Sequence, residues 1–518
     1  MKLKTTVIFA TFGVFTSAAA AFAIPVTKTT PTPDYATEWQ SGVTAENKDP
    51  SRVTAGDTLH IDARLGHASI AKNAKGETFL FAQVTATDDK AKVEKTSPLN
   101  LALVIDRSGS MKGERIANAM NAAVGAIERM RDGDSVTVVA FDTTASVIIP
   151  PTRISTGNKN QLESQVRAIR LGGDTCISCG LEEGMRQLNL SSLGGDRVNR
   201  MILLSDGATN QGVKDIGGLR AMANRMHGKG VTISTVGVDV EFDEKVMAAI
   251  AAEANGKHHF VANASALTNV FSQEFDDLLA SVAKEAELAI DLAPGVEVAE
   301  VFDRSFRREG NKLIVPFGTF SASQEKTVLV KLRVPSEKDG SQAVADVKLA
   351  YRDLVKKSDA SCTGALAVLV KNDGNEQKDL DPFVAARVER SRTAQTLTDA
   401  NKLFESGRVA EARTKLAARK EALAKTESQA LALAQNDGFA KAPAKARALD
   451  KDFASQRGAV EEAERNFAPP PPVAARRASP SNPFGGAGSA PVATTPAESR
   501  EGKAQVRSNQ EKAFDFAR

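Results

Sequence analysis

Three short stretches of the chain carry oxygen-rich side chains at spacings that could bind a hard cation. Asp106-Arg107-Ser108-Gly109-Ser110 closes the apolar run LNLALVI, and Asp206 closes a second, VNRMILLS. Between them lies Gly172-Gly173-Asp174-Thr175, a glycine-rich loop bearing a third hydroxyl. A carboxylate and two hydroxyls at alternating positions offer oxygen ligands on one side of a turn. Such ligands suit Mg²⁺, Mn²⁺ or Ca²⁺ rather than zinc. Taken singly, each of these residues also reads as a helix cap. Taken together, two carboxylates that only cap helices would be buried without a counterion, which is costly.

The flanking elements say how these stretches could meet. Residues 99–284 alternate short apolar runs (LNLALVI, SVTVVAF, VNRMILLS, VTISTVGV) with helical patterns such as Ile116, Met120, Val124 and Ile127. That alternation predicts an α/β fold, a doubly wound, mostly parallel sheet covered by helices on both faces. Ligands of such sheets gather at the carboxyl ends of the strands, so Asp106 and Asp206 would arrive on one rim.

Around this block the period changes to two. Residues 57–98 contain Leu59, Ile61, Ala63 and Leu65, and residues 285–370 contain Leu288, Ile290 and Leu292, then Val328, Val330 and Leu332, then Val347, Leu349 and Tyr351. A two- or three-stranded fragment cannot bury its apolar face alone. The two segments are therefore expected to form one β-sandwich, with the α/β unit inserted between its strands. Residues 381–467, rich in Ala, Lys, Arg and Glu, predict a helical region with a turn at Gly407. Residues 24–56 read as a flexible arm and 468–518, with APPPPVAARRASPSNPFGG, as a disordered tail.

In order and spacing, Asp106-x-Ser108-x-Ser110, Thr175 and Asp206 resemble the metal-ion-dependent adhesion site (MIDAS) of von Willebrand factor A (VWA) domains. The resemblance covers about residues 99–284, fills all five positions of the motif, and extends to the Rossmann-like sheet. The sandwich flanks look like those of bacterial exported proteins that carry this domain. The resemblance implies that Ser108 and Ser110 bind a cation directly, that Asp106 and Asp206 hold it mainly through water, and that Thr175 does either. It also implies a remaining coordination position for a Glu or Asp carboxylate of a protein partner. In relatives of this fold the last helix can shift when the metal changes ligands. Here residues 265–284 run straight into the second sandwich segment.

Thr175 is followed at once by Cys176-Ile177-Ser178-Cys179 at an expected helix start. A helix N-terminus lowers thiol pKa, which opens a thiol-disulfide oxidoreductase reading. An exported chain meets oxidising conditions, and a Cys176–Cys179 disulfide that stiffens the Thr175 loop is the preferred expectation. Cys362 leaves two other pairings open.

Composition and targeting bound the rest. Aromatic residues are 5% of the chain and the net charge is only +3, which argues against a nucleic-acid partner. Residues 1–23 have the grammar of a signal peptide: Lys2 and Lys4, an apolar run, then Ala21-Phe22-Ala23. The expected location is periplasmic or extracellular, with no transmembrane anchor. No HExxH, GxSxG, Walker A or EF-hand pattern occurs, so no enzymatic activity is expected. The functional expectation is cation-dependent binding of an acidic partner in adhesion or envelope assembly; the alternatives are a metal-independent envelope scaffold or the oxidoreductase.

Overall fold

A computed structural model describes residues 49–88, 97–191, 197–206, 208–239, 243–261, 266–372, 380–436, 443–467, 496–497 and 499–517. The signal-peptide expectation for 1–23 lies outside these residues, as do 24–48 of the arm and 468–495 of the tail.

Four strands come first: β1 (Arg52–Gly56), β2 (Leu59–Leu65), β3 (Ser69–Ala71) and β4 (Glu77–Ala86). The α/β unit follows, beginning with β5 (Leu99–Asp106), α1 (Glu114–Arg129), β6 (Ser135–Phe141), β7 (Ala145–Arg153), α2 (Lys159–Arg167) and α3 (Ile177–Ser191). It continues with β8 (Val198–Ser205), α4 (Ile216–His227), β9 (Val231–Val238), α5 (Glu244–Glu253), β10 (Asn255–Val261) and α6 (Leu267–Leu279).

Its sheet has the order β10-β9-β8-β5-β6-β7. All neighbours are parallel except the antiparallel edge strand β7. β5 is buried on both faces, and its alternation divides the core. Leu101, Leu103 and Ile105 pack with Ala119 and Ile127 of α1 and Phe275 of α6. Ala102 and Val104 pack with Leu181 of α3, Leu219 of α4 and Met247 of α5. This is the doubly wound α/β architecture expected from the strand–helix alternation.

The remaining strands are β11 (Ser281–Leu292), β12 (Glu297–Phe302), β13 (Arg307–Glu309), β14 (Lys312–Ser321), β15 (Glu325–Arg333), β16 (Gly340–Asp353) and β17 (Ser358–Lys371). They pair with the N-terminal strands across the inserted unit. One sheet runs β1-β2-β4-β15-β12 and the other β13-β14-β11-β16-β17-β3. Leu80 faces Val330 in the first, and Ile70 faces Val370 in the second. Leu59, Ile61 and Leu80 share one apolar core with Leu288, Ile290 and Leu349. Both segments contribute strands to each sheet and side chains to that core.

Three boundaries differ from the sequence reading. The expected arm over 24–56 contains β1, because Val53 and Ala55 reach the sandwich core and Val53 pairs with Ala63. The boundary expected between 284 and 285 falls inside β11, since α6 ends at Leu279 and the strand begins at Ser281.

The third difference is larger. After α7 (Pro382–Glu405), α8 (Val409–Asn436) and α9 (Pro443–Asn466), the expected disordered tail contains a further helix, α10 (Arg500–Phe516). Ser499 caps it by accepting from Gly502 N–H, and Val506, Ala513 and Phe516 join the core of the helical region. Low-complexity composition over 468–497 masked this short amphipathic pattern. Between α7 and α8, Gly407 takes φ 77°, a left-handed conformation suited to a tight helix end. Phe404 and Phe467 stack at 4.1 Å to close the bundle. Among the described residues no helix is long and apolar enough to cross a membrane.

Candidate metal centre

Chain order explains where the candidate site forms. From β5 the chain turns first to β6 on one side and only later reaches β8 on the other. β5 and β8 therefore flank the topological switch point, where a crevice opens at the strand ends. Asp106 is the last residue of β5, and Asp206 directly follows β8.

The structure joins four of the five expected residues in one chain of hydrogen bonds. Ser108 N–H donates to Asp106 Oδ1 at 2.8 Å. The Ser108 and Ser110 hydroxyls lie 3.0 Å apart, and Ser110 Oγ donates to Asp206 Oδ1 at 2.7 Å. Asp106 and Asp206 are 0% and 1% exposed, whereas Ser110 and Gly109 face solvent. The site thus has a buried acidic floor and an open, hydroxyl-bearing mouth.

Thr175 is brought to the same rim through backbone contacts. Gly109 N–H donates to Gly173 O at 2.9 Å, and Gly172 N–H donates to Arg107 O at 2.7 Å. The absence of side chains at Gly172 matters here: a Cβ would lie 1.8 Å from Asp142 Oδ2. Asp142 in turn pairs with Arg107 at 3.0 Å and accepts Cys176 N–H on its carbonyl at 2.8 Å. Thr175 N–H donates to Asn210 Oδ1 at 2.8 Å, and Thr175 O accepts from Asn210 N–H at 3.0 Å. The Thr175 peptide is pinned between the loop after β6 and the loop after Asp206.

A disulfide joins Cys176 and Cys179, with Cα atoms 5.3 Å apart, at the start of α3. Cys362 is free and half-buried on β17. The bridge closes only a short loop, so its constraint falls locally on Thr175 and the first turn of α3.

The electrostatics follow from burial. Burial pushes the Asp106 carboxyl up to about 6, against hydrogen bonds from Ser205 and Ser108, and the nearby Asp206 charge adds to the rise. Asp206 is also raised by burial, while Ser110 and Arg115 pull it down. Among the described residues Asp106 has no ion-pair partner, and its oxygens take neutral donors, Ser108 and the Ser205 hydroxyl, the latter at 2.5 Å. Two adjoining buried carboxylates with one neighbouring guanidinium leave a deficit of positive charge. The donors are carboxylates and hydroxyls, so the residues fit a hard divalent cation. No group of three or more His, Cys, Asp or Glu side chains gathers as a metal cage among the described residues. Here hydroxyls form most of the donor set.

Several residues around the site were not singled out by sequence. Arg115, one residue into α1, donates to Asp206 Oδ2 at 2.8 Å and to Ser110 O at 2.8 Å, and it also pairs with Asp239. Ser205 and Asp142 organise Asp106 and the glycine loop. Only Ser205 had a local signal, its position beside Asp206. Away from the site, His258 meets Thr235 Oγ1 at 2.9 Å, and His259 meets Glu274 at 3.2 Å.

Comparison with known proteins bears on the fold. Residues 100–273 match the von Willebrand factor type A domain. The chain is 27% identical over 270 residues to the uncharacterized protein sll0103 of Synechocystis, covering 50% of this chain and 63% of that one. It is 26% identical over 324 residues to the uncharacterized protein YfbK of Escherichia coli, covering 60% of this chain and 55% of the relative. The chain therefore spans less than two thirds of either relative's length. A von Willebrand factor type A protein from Catenulispora acidiphila superposes with a TM-score of 0.61 at 16% identity, over 72% of this chain and 88% of that one. That coverage exceeds residues 100–273, so the shared fold extends past the α/β unit. Residues 100–273 form a von Willebrand factor type A domain, set between the two halves of a β-sandwich.

Proposed function

We propose that the protein is an exported binding protein that holds a divalent cation, Mg²⁺ or else Mn²⁺ or Ca²⁺, at Asp106, Ser108, Ser110, Thr175 and Asp206. Through that cation it takes a Glu or Asp carboxylate of a protein partner. The observation that carries this reading is the continuous Asp106–Ser108–Ser110–Asp206 chain, with buried carboxylates below, Ser108 buried beside them and the exposed Ser110 at the mouth.

Ser108 and Ser110 offer neutral oxygens to the cation, and Asp106 and Asp206 supply negative charge beneath it. A bound divalent cation would supply a positive centre for the incoming carboxylate. Neutral hydroxyl ligands leave that centre electron-poor, which strengthens its pull on an anionic partner. The Gly172-Gly173 turn and the Cys176–Cys179 bridge keep Thr175 at the rim. The domain type supports a protein-interaction or adhesion role, and nothing in the residue pattern calls for catalysis. The signal-like residues 1–23 support a periplasmic or extracellular location.

Calorimetric titration of Mg²⁺ tests the site, with partner capture measured in the presence and absence of chelator. Wild type is expected to bind one cation and Asp106→Ala to lose it, together with chelator-sensitive partner capture. Unchanged capture in Asp106→Ala and in chelator would favour the metal-independent scaffold. Disulfide-reductase activity lost in Cys176→Ser would favour the oxidoreductase.

A further inference from the structure

Helix α10 has two faces, and each is committed. One face packs on the helical region through Val506, Ala513 and Phe516, with Asn401 Nδ2 donating to Val506 O at 3.0 Å. The other carries Arg500, Arg507 and Phe514 at seven-residue spacing, which places them in one row along the helix. That row lies on the VWA domain. Arg500 pairs with Asp239 at 3.3 Å, and Arg507 pairs with the buried Glu244 of α5 at 2.6 Å. Phe514 packs with Ala248 and Ala251 of α5 and meets the His258 ring edge-on at 6.0 Å.

Glu511 completes the seat by accepting Phe260 N–H at 3.1 Å. Phe260 lies on β10, the edge strand of the sheet, so α10 covers an edge that would otherwise present backbone donors to solvent.

The seat reaches the metal centre through one side chain. Asp239 follows β9 directly, is buried, and takes Arg500 on one oxygen and Arg115 on the other. Arg115 holds Asp206 with its remaining arm. Charges alternate without a break along Asp206, Arg115, Asp239 and Arg500, from the candidate cation site to the first turn of α10.

We propose that α10 is a latch on the VWA domain whose hold is weakened by a divalent cation at the metal centre. The inference rests on the metal reading above and names a regulation of that site. A cation drawing on Asp206 competes with Arg115 for the same carboxylate. Arg115 then concentrates on Asp239, and Arg500 loses part of its partner while facing more positive charge. Coupling between two binding equilibria is reciprocal, so loosening α10 must tighten cation binding by the same factor. Arg500 is largely solvent-exposed, so its pair with Asp239 carries a modest energy, which sets the coupling at about two- to fivefold.

The test uses the full chain. Hydrogen exchange over residues 500–517 is measured with and without Mg²⁺, at an occupancy established by calorimetry, in wild type and in Asp106→Ala. Exchange in α10 is expected to quicken on Mg²⁺ addition in wild type and to stay constant in Asp106→Ala. Arg500→Ala, at a largely solvent-exposed position, is expected to fold normally and bind Mg²⁺ about two- to fivefold more tightly. Calorimetric Mg²⁺ binding with unchanged α10 exchange and unchanged affinity in Arg500→Ala would overturn the latch while leaving the metal reading intact. Absence of any Mg²⁺ binding would overturn both.

Discussion

Arg115 places its guanidinium on Asp206 at 2.8 Å, so the second carboxylate of the candidate centre already has a cationic neighbour supplied by the protein. One arm of it is local, since Arg115 also donates to Ser110 O five residues earlier, whereas Asp206 is 91 residues away. Arg115 lies one residue into α1, which starts just after the Asp106-x-Ser108-x-Ser110 loop, so the loop and its rival cation move together. Any divalent ion that uses Asp206 must share it with this side chain.

Replacing Arg115 with Gln is therefore expected to strengthen Mg²⁺ binding. The guanidinium is partly solvent-exposed, so the gain should be modest, about two- to fivefold in dissociation constant. Calorimetric titration of the variant against wild type measures it. A weaker affinity in Arg115→Gln would mean that the side chain positions Asp206 more than it competes for it.

The Cys176–Cys179 bridge should matter more to the site than to the fold. Closing so short a loop is worth about 2 kcal/mol by chain entropy, less than bridges that span long segments. The double variant Cys176→Ser, Cys179→Ser is expected to keep a cooperative unfolding transition while its Mg²⁺ affinity falls, because Thr175 adjoins the bridge. Equal affinity in the two proteins would place the bridge outside the site's function.

The split sandwich makes a prediction about stability. Leu80 is fully buried on β4, is register-paired with Val330 of β15, and shares a core with Leu288 of β11. Leu80→Ala should cost about 2–5 kcal/mol, the range for emptying a buried leucine site. Urea denaturation reads the loss. Near- and far-ultraviolet circular dichroism should lose signal together if the two segments are one cooperative unit. A fragment of residues 281–372 that unfolds cooperatively by itself would contradict that arrangement.

Acid sensitivity follows from His258. Burial between β9, β10 and α10 depresses its pKa to about 3, with further lowering from His259 and Arg507. The unfolded chain would bind this proton near 6.5 and the folded chain near 3. Between those values the unfolded state holds more protons, so the contribution to stability is full above about 6.5 and is lost as pH falls toward 3. Raised carboxyls such as Glu244, pushed up to about 8 by burial, act in the opposite sense. The difference between wild type and His258→Gln isolates the histidine. Denaturation midpoints at pH 7 and pH 4.5 should show wild type losing more stability than the variant on acidification. An equal loss would mean that His258 is not held neutral.

Much of the site was legible because its determinants are local. The end of an apolar run marks a strand's carboxyl end, and Asp106 and Asp206 each sit at one. Glycines at 172 and 173 mark the turn that lets Thr175 approach, and side-chain period separates sheet from helix in every large segment. Helix α10 also left a local trace: Ser499 as a cap, and apolar residues at 506, 513 and 516. The proline- and glycine-rich stretch before it outweighed that trace.

By itself, then, the sequence determined most of the elements, which of their ends carry oxygen donors, and the change of period that sets the flanking β segments apart from the α/β unit. Tertiary structure alone decided the charge relay from Asp206 through Arg115 and Asp239 to Arg500, the hold of Asp142 on the glycine loop, and the seat of α10 on β10. The physical reason is range. Alternation and capping are set by neighbours a few residues apart, whereas Arg115 is 124 residues from Asp239 and Phe260 is 251 from Glu511. No periodicity encodes such pairs; they exist only once the sheet has fixed where its rim and its edge lie.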